Sequence, residues 1–306
     1  MNTLTKKQRQ YLSDLSLLFV AAVWGGGFVA VKDALNNITP MMLMSMRFTM
    51  ATIFVYVFLN KRIGKVSKDD FKKGFVVGFI LFLAFAAQTF GLQFTTASKQ
   101  GFLTATYVVM VPLIYWMLYK KMPGRRAFIG SFFTIAGIAL ISFEDIANFS
   151  LNLGDGLTLL CALFFAAHII SIEYFAKDMN VFKLAFVQIA VAAVLFTVTA
   201  FVTEPIPTDV TTRTWGALLY MSMFSTFLCF TVQTVAQKYT TSSHASIIMS
   251  LEAVFAAVFG ILLLNEHLTP LMVAGCVLIF AAILIVELGA NSNKEIDHIQ
   301  EEPSVL

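Results

Sequence analysis

Glu252 is the residue whose chemistry demands an explanation first. It stands nine residues into an apolar run that begins near Ser243, about 14 Å along a helix rising 1.5 Å per residue. That depth is close to the middle of a hydrocarbon core about 30 Å thick, where a charge costs on the order of 2.5–3.5 kcal/mol or more. A carboxyl there can take up and release a proton as its surroundings dry and wet, or it can hold an amine. The competing reading is a neutral or paired carboxyl that pins helices together.

Other polar residues in apolar runs extend the list. Arg47 lies roughly 10 Å below the opposite surface; it can bind a carboxylate through two parallel hydrogen bonds, snorkel outward, or pair with Asp33. Tyr107 can stack on a ligand while hydrogen-bonding it, or simply pack. His168 suits a proton relay or a hydrogen-bonded place in the core. Gln88 and Gln233 offer neutral hydrogen bonds to a polar ligand, or bridge helices. Trp24 opens the run Trp24-Gly25-Gly26-Gly27-Phe28, in which each glycine costs a helix about 1 kcal/mol relative to alanine. The run predicts a thinned or flexible point where backbone faces a cavity or a neighbouring helix. Pro112 is expected to kink its span. No nucleotide-binding loop, nucleophile elbow or metal-ligand spacing occurs, so no catalytic residue, metal or cofactor is expected. Basic residues without interleaved aromatics argue against a nucleic-acid partner.

The elements that must position these residues follow from composition. Of 306 residues 58% are hydrophobic, 31 are Phe, and only 13% are charged, against about 25% in soluble domains. A soluble globule could not bury so much apolar surface, and disorder needs more charge. The class is an all-α integral membrane protein. Apolar runs between polar breaks give ten transmembrane helices, at 13–34, 40–59, 73–93, 98–119, 127–143, 154–175, 184–203, 215–236, 243–264 and 270–288. Spans of about 20 residues leave no room for a soluble catalytic domain. Cys161, Cys229 and Cys276 lie inside apolar runs without paired spacing and read as packing residues. The Gly74–Gly78 spacing suits helix association but also arises by chance.

Charge fixes the orientation. Of the 21 Lys and Arg, seventeen fall on the boundaries that share a side with the N-terminus. Lys99 and Arg213 fall on the other side, and Lys32 and Arg47 within spans. Both termini are therefore expected in the cytoplasm. Lys32 and Glu173, near helix ends, are expected to snorkel.

The chain also matches itself. A shift of 145 residues lays Thr95-Thr96-Ala97-Ser98 on Thr240-Thr241-Ser242-Ser243, Phe85 on Phe230, Gln88 on Gln233 and Tyr107 on Glu252. Both Thr-Thr segments precede spans and read as N-caps. Five spans per repeat is odd, so the expected domains, 13–143 and 154–288, have opposite topology. They are flanked by a cytoplasmic segment 1–12 and a polar cytoplasmic tail 289–306. Inverted repeats imply alternating access to a central site.

Several motifs resemble the EamA family of the drug/metabolite transporter superfamily. They are Trp24-Gly25; Gly91 to Ser98 with Phe102-Leu103-Thr104; Tyr107 to Leu113; Ser250 to Ala257; Leu263 to Thr269; and Gly275. The chain departs from the pattern at Ala253, where Pro is usual, at Asn265, where Gly is usual, and at Lys120-Lys121, which replaces Gly-Glu. The resemblance implies a ten-helix carrier of small metabolites, often amino acids, across the cytoplasmic membrane. Export is the expected direction, and protons acting through Glu252 are a candidate coupling ion beside plain uniport. Its partners would be a small-molecule metabolite and the lipid bilayer; the oligomeric state is unread. Translocation of a lipid-linked headgroup is the alternative, and an integral membrane enzyme a more distant one.

Overall fold

A computed structural model of the chain describes residues 5–95, 97–120, 124–142, 152–264 and 270–290. Lys121, Asn265, Glu266, Lys294 and the tail beyond 290 lie outside the described residues, as do the side chains of Lys99 and Cys276. Among the described residues there is no strand. The helices are α1 (Lys6–Ala34), α2 (Pro40–Ile63), α3 (Lys68–Leu92), α4 (Ala97–Ala105), α5 (Tyr107–Tyr119), α6 (Arg125–Ser142), α7 (Leu153–Ala176), α8 (Val181–Thr203), α9 (Thr212–Tyr220), α10 (Cys229–Ala236), α11 (Ser242–Met249), α12 (Glu252–Leu264) and α13 (Pro270–Ala290). A π-helical segment, Met221–Leu228, joins α9 to α10.

Seven helical stretches are long and apolar enough to cross a membrane, and two shorter apolar ones lie at 128–137 and 273–282. Large apolar side chains point outward along them; Phe132 and Leu262 are 68% and 69% exposed, which suits hydrocarbon and not water. This is a multi-pass membrane protein.

Helices begin earlier than their apolar runs. Thr5 accepts a bond from the Gln8 N–H while the Gln8 side chain accepts from Thr5 N–H. Ser67 and Asp70 close the same reciprocal box at α3, as do Asn152 and Asp155 at α7. Apolar composition marks where lipid begins, whereas the cap marks where the first free N–H groups find partners. The expected starts at 13 and 73 therefore move to Lys6 and Lys68. At α2 the cap comes from afar: Met41 and Met42 donate to the Glu204 carboxylate at 3.1 and 2.8 Å, fixing the start of α2 against the end of α8. Lys32 does not snorkel. Its ammonium donates to the carbonyls of Leu92 and Thr95 at 2.7 and 2.9 Å, covering the free carbonyl end of α3.

The stretches 98–119 and 243–264, expected as continuous helices, are each broken in two. Pro112 is not the breaking point, since α5 runs through it; the interruption falls at Thr106. There Thr106 N bonds to Leu103 O and Val109 N to Thr106 O, while the Thr106 hydroxyl also takes the Leu103 carbonyl. The second break repeats the pattern: Leu251 N bonds to Ile248 O, Ala253 N to Ser250 O, and the Ser250 hydroxyl to Ile247 O. In both places bonds three residues apart tighten the turn, and a hydroxyl competes for a helix carbonyl. Pro112 has a different consequence. Lacking an N–H, it orphans the Val108 carbonyl, which accepts instead from Ser131 Oγ at 2.9 Å. Ser131→Ala is therefore expected to cost about 1–3 kcal/mol, read as a lower thermal midpoint in detergent than wild type.

Close packing uses glycine where backbones meet. A Cβ on Gly78 would stand 2.7 Å from Gln188 O and 2.8 Å from Val191 Cβ, and Gly74 meets Val187. The Gly74–Gly78 pair thus seats α3 against α8 within the chain. The main core gathers Phe48, Phe85, Phe196 and Phe230 from α2, α3, α8 and α10. Phe48 lies 5.2 Å from both Phe85 and Phe196, ring centre to ring centre. Lys120 closes α5 with φ of 54°, in the left-handed region that glycine fills without penalty.

Candidate functional site

One cavity opens among these helices, and each element contributes one helical face to it. α1 presents Trp24, Gly27, Phe28 and Val31; α3 presents Phe85, Gln88, Thr89 and Leu92. Those spacings of three and four residues are a single stripe on each helix. Phe165 and Ile169 come from α7, and Phe230 and Gln233 from α10. The broken spans add Gln100 and Thr104 from α4, Tyr107 from α5 and Glu252 from α12; α2 adds Arg47 and the π segment Ser225. The empty space is about 620 Å³, counting what opens outward, within the range of small-molecule sites.

Arg47 is 3% exposed. Its Nε donates to Thr226 Oγ1 at 2.6 Å and its Nη2 to Ser225 Oγ at 3.1 Å. The guanidinium also lies over the Phe85 ring, 4.7 Å from its centre. The expected pairing with Asp33 does not occur, because Asp33 takes Arg213 at 2.8 Å, and burial rules out snorkelling. Among the described residues no ion pair engages Arg47. Both of these hydrogen bonds from Arg47 go to the π segment, which also presents the Ser225 carbonyl to Trp24 Nε1 at 2.9 Å.

Glu252 is the first residue of α12, a direct result of the break at Ser250–Leu251. A helix N-terminus favours a negative charge. The carboxyl is 3% exposed, beside the Tyr107 hydroxyl that opens α5 at the matching break. Neither Glu252 Oε1 nor Tyr107 Oη completes a well-aligned hydrogen bond among the described residues. Gln100 Oε1 and Gln233 Oε1 are also left without partners. The Tyr107 hydroxyl and the Glu252 carboxyl face each other, so the two amide oxygens are the polar atoms that a ligand would satisfy.

Gln88 donates to Thr104 Oγ1 at 3.4 Å. Trp24, Phe85 and Phe230 form the aromatic wall, with Trp24–Phe230 centroids 5.2 Å apart and Phe85–Phe230 5.8 Å. His168 does not line the cavity. It stands behind the wall, edge-on to Phe230, with Nε2 2.8 Å from Gln188 Oε1. Gln188 in turn donates to Thr234, which donates to the Phe230 carbonyl. His168 therefore braces Phe230 from outside.

The glycine run does not interrupt α1; it is thinned in side chains, as expected, where the helix meets α12 and the cavity. Each glycine meets a different neighbour: Gly25 the α12 backbone, Gly26 the Tyr220 hydroxyl, and Gly27 Ser225 Oγ. A Cβ on Gly25 would stand 2.5 Å from Phe255 Cβ, 2.8 Å from Ala256 N and 2.9 Å from Glu252 O. Gly25→Val is expected to destabilise the protein by about 1–3 kcal/mol through overpacking, measured by thermal unfolding in detergent.

Sequence reasoning missed Gln100, Thr104, Ser225 and Thr226. The 145-residue shift pairs Gln100 with Ala245 and Thr104 with Met249, so the repeat gave no signal there. Phe85 and Phe230 were paired by that shift, and both line the cavity. Among the described residues no group of three His, Cys, Asp or Glu side chains is placed to hold a metal ion. Cys161 and Cys229 are buried free thiols.

The EamA-like transporter family matches residues 12–143 and 152–288. The chain belongs to that family. An uncharacterized transporter of Archaeoglobus fulgidus is 37% identical over 92% of this chain and 87% of its own length. The uncharacterized transporter YoaV of Bacillus subtilis is 23% identical over 89% and 95%. A protein of known crystal structure covers 93% of this chain and 99% of its own with a TM-score of 0.77 at 14% identity, a likeness of fold alone. This EamA-like protein is a membrane transporter of small molecules, and its family and relatives indicate a transporter and not an enzyme.

Proposed function

We propose that this EamA-like transporter is a secondary exporter of small zwitterionic metabolites, amino acids or close relatives, across the cytoplasmic membrane. One observation carries the reading. Arg47 and Glu252, a buried base and a buried acid, line one cavity, and no ion pair engages either among the described residues. A ligand carrying both a carboxylate and an ammonium supplies the two missing counter-charges at once. Gln100, Gln233 and Tyr107 add hydrogen-bonding groups, and the aromatic wall accepts an apolar body.

Transport proceeds by alternating access through ten helices in two inverted repeats, 13–143 and 154–288. Packing supports this two-fold arrangement: α2 lies along α8 and α6 along α13, each the other's counterpart under the repeat. The matching breaks at Thr106 and Ser250–Leu251 support it too. Segments 1–12 and 289–306 lie in the cytoplasm by the distribution of Lys and Arg. Protonation of Glu252 is the candidate coupling step.

The test compares metabolites inside and outside cells making the transporter or an empty vector. Accumulation of amino acids outside the producing cells is expected. Unchanged external amino acids from cells with well-inserted protein would overturn the reading. Proteoliposomes loaded with the accumulated compound, with and without a proton gradient, then test coupling.

A further inference from the structure

At the end of the bundle that carries the N-terminus, beyond the cavity, apolar side chains of three helices meet. Leu17 of α1, Ala236 of α10, and Ala245 and Ile248 of α11 pack there into one buried apolar layer. Around that layer stand polar contacts that the substrate site does not use. His244 Nε2 of α11 lies 3.1 Å from Asp14 Oδ1 of α1, with side chains 7% and 12% exposed. Neither atom has another partner among the described residues. The helix that carries His244 is short, and the turn at Ser250–Leu251 separates it from α12 and Glu252. Its start is tied to α7 by Glu173, which does not snorkel: its buried carboxylate accepts from Ser242 N–H at 2.7 Å and from the Ser242 hydroxyl.

We propose that Asp14 and His244 form a proton-binding latch at the cytoplasmic end, holding α11 against α1 while His244 is charged and loosening when it is neutral. The proposal rests on the alternating-access reading above. For a cytoplasmic substrate to reach Glu252, α11 and α1 must part. The break beside Glu252 gives α11 a hinge, and among the described residues the Asp14–His244 pair spans the seam. Histidine alone among side chains ordinarily changes charge between about pH 5 and pH 8. A charged imidazole beside a buried carboxylate attracts it; a neutral one leaves the carboxylate without a counter-charge. Acidification of the cytoplasm therefore shifts the population toward the closed form.

Other titratable or charged groups on the elements packed against this end of α11 include Lys7, Arg9 and Tyr11 on α1, Tyr115 and Tyr119 on α5, Arg125 and Arg126 on α6, Glu173 and Tyr174 on α7 with Lys177 at its end, and Glu287 on α13, whose side chain is outside the described residues. Arg9 lies over the Tyr239 ring and Glu173 binds Ser242. Asp14 is the group at ion-pair distance from His244.

The test places nitroxide labels at Gln8→Cys and Lys238→Cys, both exposed, in the full chain with Cys161→Ala, Cys229→Ala and Cys276→Ala, in lipid nanodiscs. Pulsed electron resonance then reads the distance distribution at about pH 5 and about pH 8. The short-distance population is expected to dominate at the acidic pH and to fall at the alkaline one. His244→Gln is expected to abolish that response, and Asp14→Asn, nearly isosteric, to abolish it too. A distribution indifferent to pH in the wild-type background overturns the latch, as does an unchanged response in either variant. No substrate is added. Failure to export amino acids would leave this readout intact, and a pH-indifferent seam with intact export would remove the latch alone.

Discussion

Glu252→Gln is expected to reduce amino-acid export by about 30-fold or more. The substitution keeps shape and a hydrogen-bonding group beside Tyr107 but removes the carboxylate that, among the described residues lining the cavity, could meet an ammonium. Leaving one member of a buried charge pair without its partner costs roughly 2–5 kcal/mol, and 2 kcal/mol is a factor of about 30. Tyr107→Phe removes a neutral hydrogen bond, worth about 1 kcal/mol, and is expected to reduce export by roughly five-fold. Counterflow of labelled amino acid in proteoliposomes measures both. Equal losses from the two variants would argue against an ammonium at Glu252.

Arg47→Gln should be as damaging, with a selectivity that Glu252→Gln lacks. A carboxylate-bearing substrate is expected to lose about 30-fold or more in apparent affinity. The corresponding amine without its carboxylate is weak in wild type and equally weak in the variant, because neither makes the contact. Arg47→Lys keeps the charge but loses the planar fork that Ser225 and Thr226 orient, so partial recovery is expected. Competition of both compounds against labelled substrate provides the comparison. If the amine and the amino acid lose equally, Arg47 is holding the π segment in place and not a carboxylate.

Much of this arrangement is legible in the sequence because membranes simplify the problem. A run of apolar residues bounded by Lys and Arg has few readings, so the multi-pass class follows. A buried Glu or Arg is costly enough to single itself out, and six of the seven flagged residues line one cavity. His168 does not, since a buried imidazole satisfied by Gln188 carries the same sequence signal as one facing a ligand. The breaks at Thr106 and Ser250 were hidden for a related reason. Pro112 was the residue expected to bend its span, yet α5 runs on as helix through it while Ser131 covers the freed carbonyl. The true interruptions fall at small hydroxyl residues, whose bonds to their own backbone are one option among several. The partners of Arg47 lie 178 and 179 residues away, and nothing local announces them.

The π segment has a bearing on how relatives of this chain should be lined up. An α-helix advances about 100° per residue, whereas a π turn absorbs an extra residue without breaking the rod. Deleting one residue within Met221–Leu228 would let that stretch wind as ordinary helix and swing all of α9 by about 100°. Tyr220 would leave the Val23 carbonyl it now reaches at 2.7 Å, and Arg213 would leave Asp33. Substitutions here leave the rod's phase alone, but a one-residue gap resets it, so a homologue that has lost this residue carries a differently faced α9 however similar its letters look.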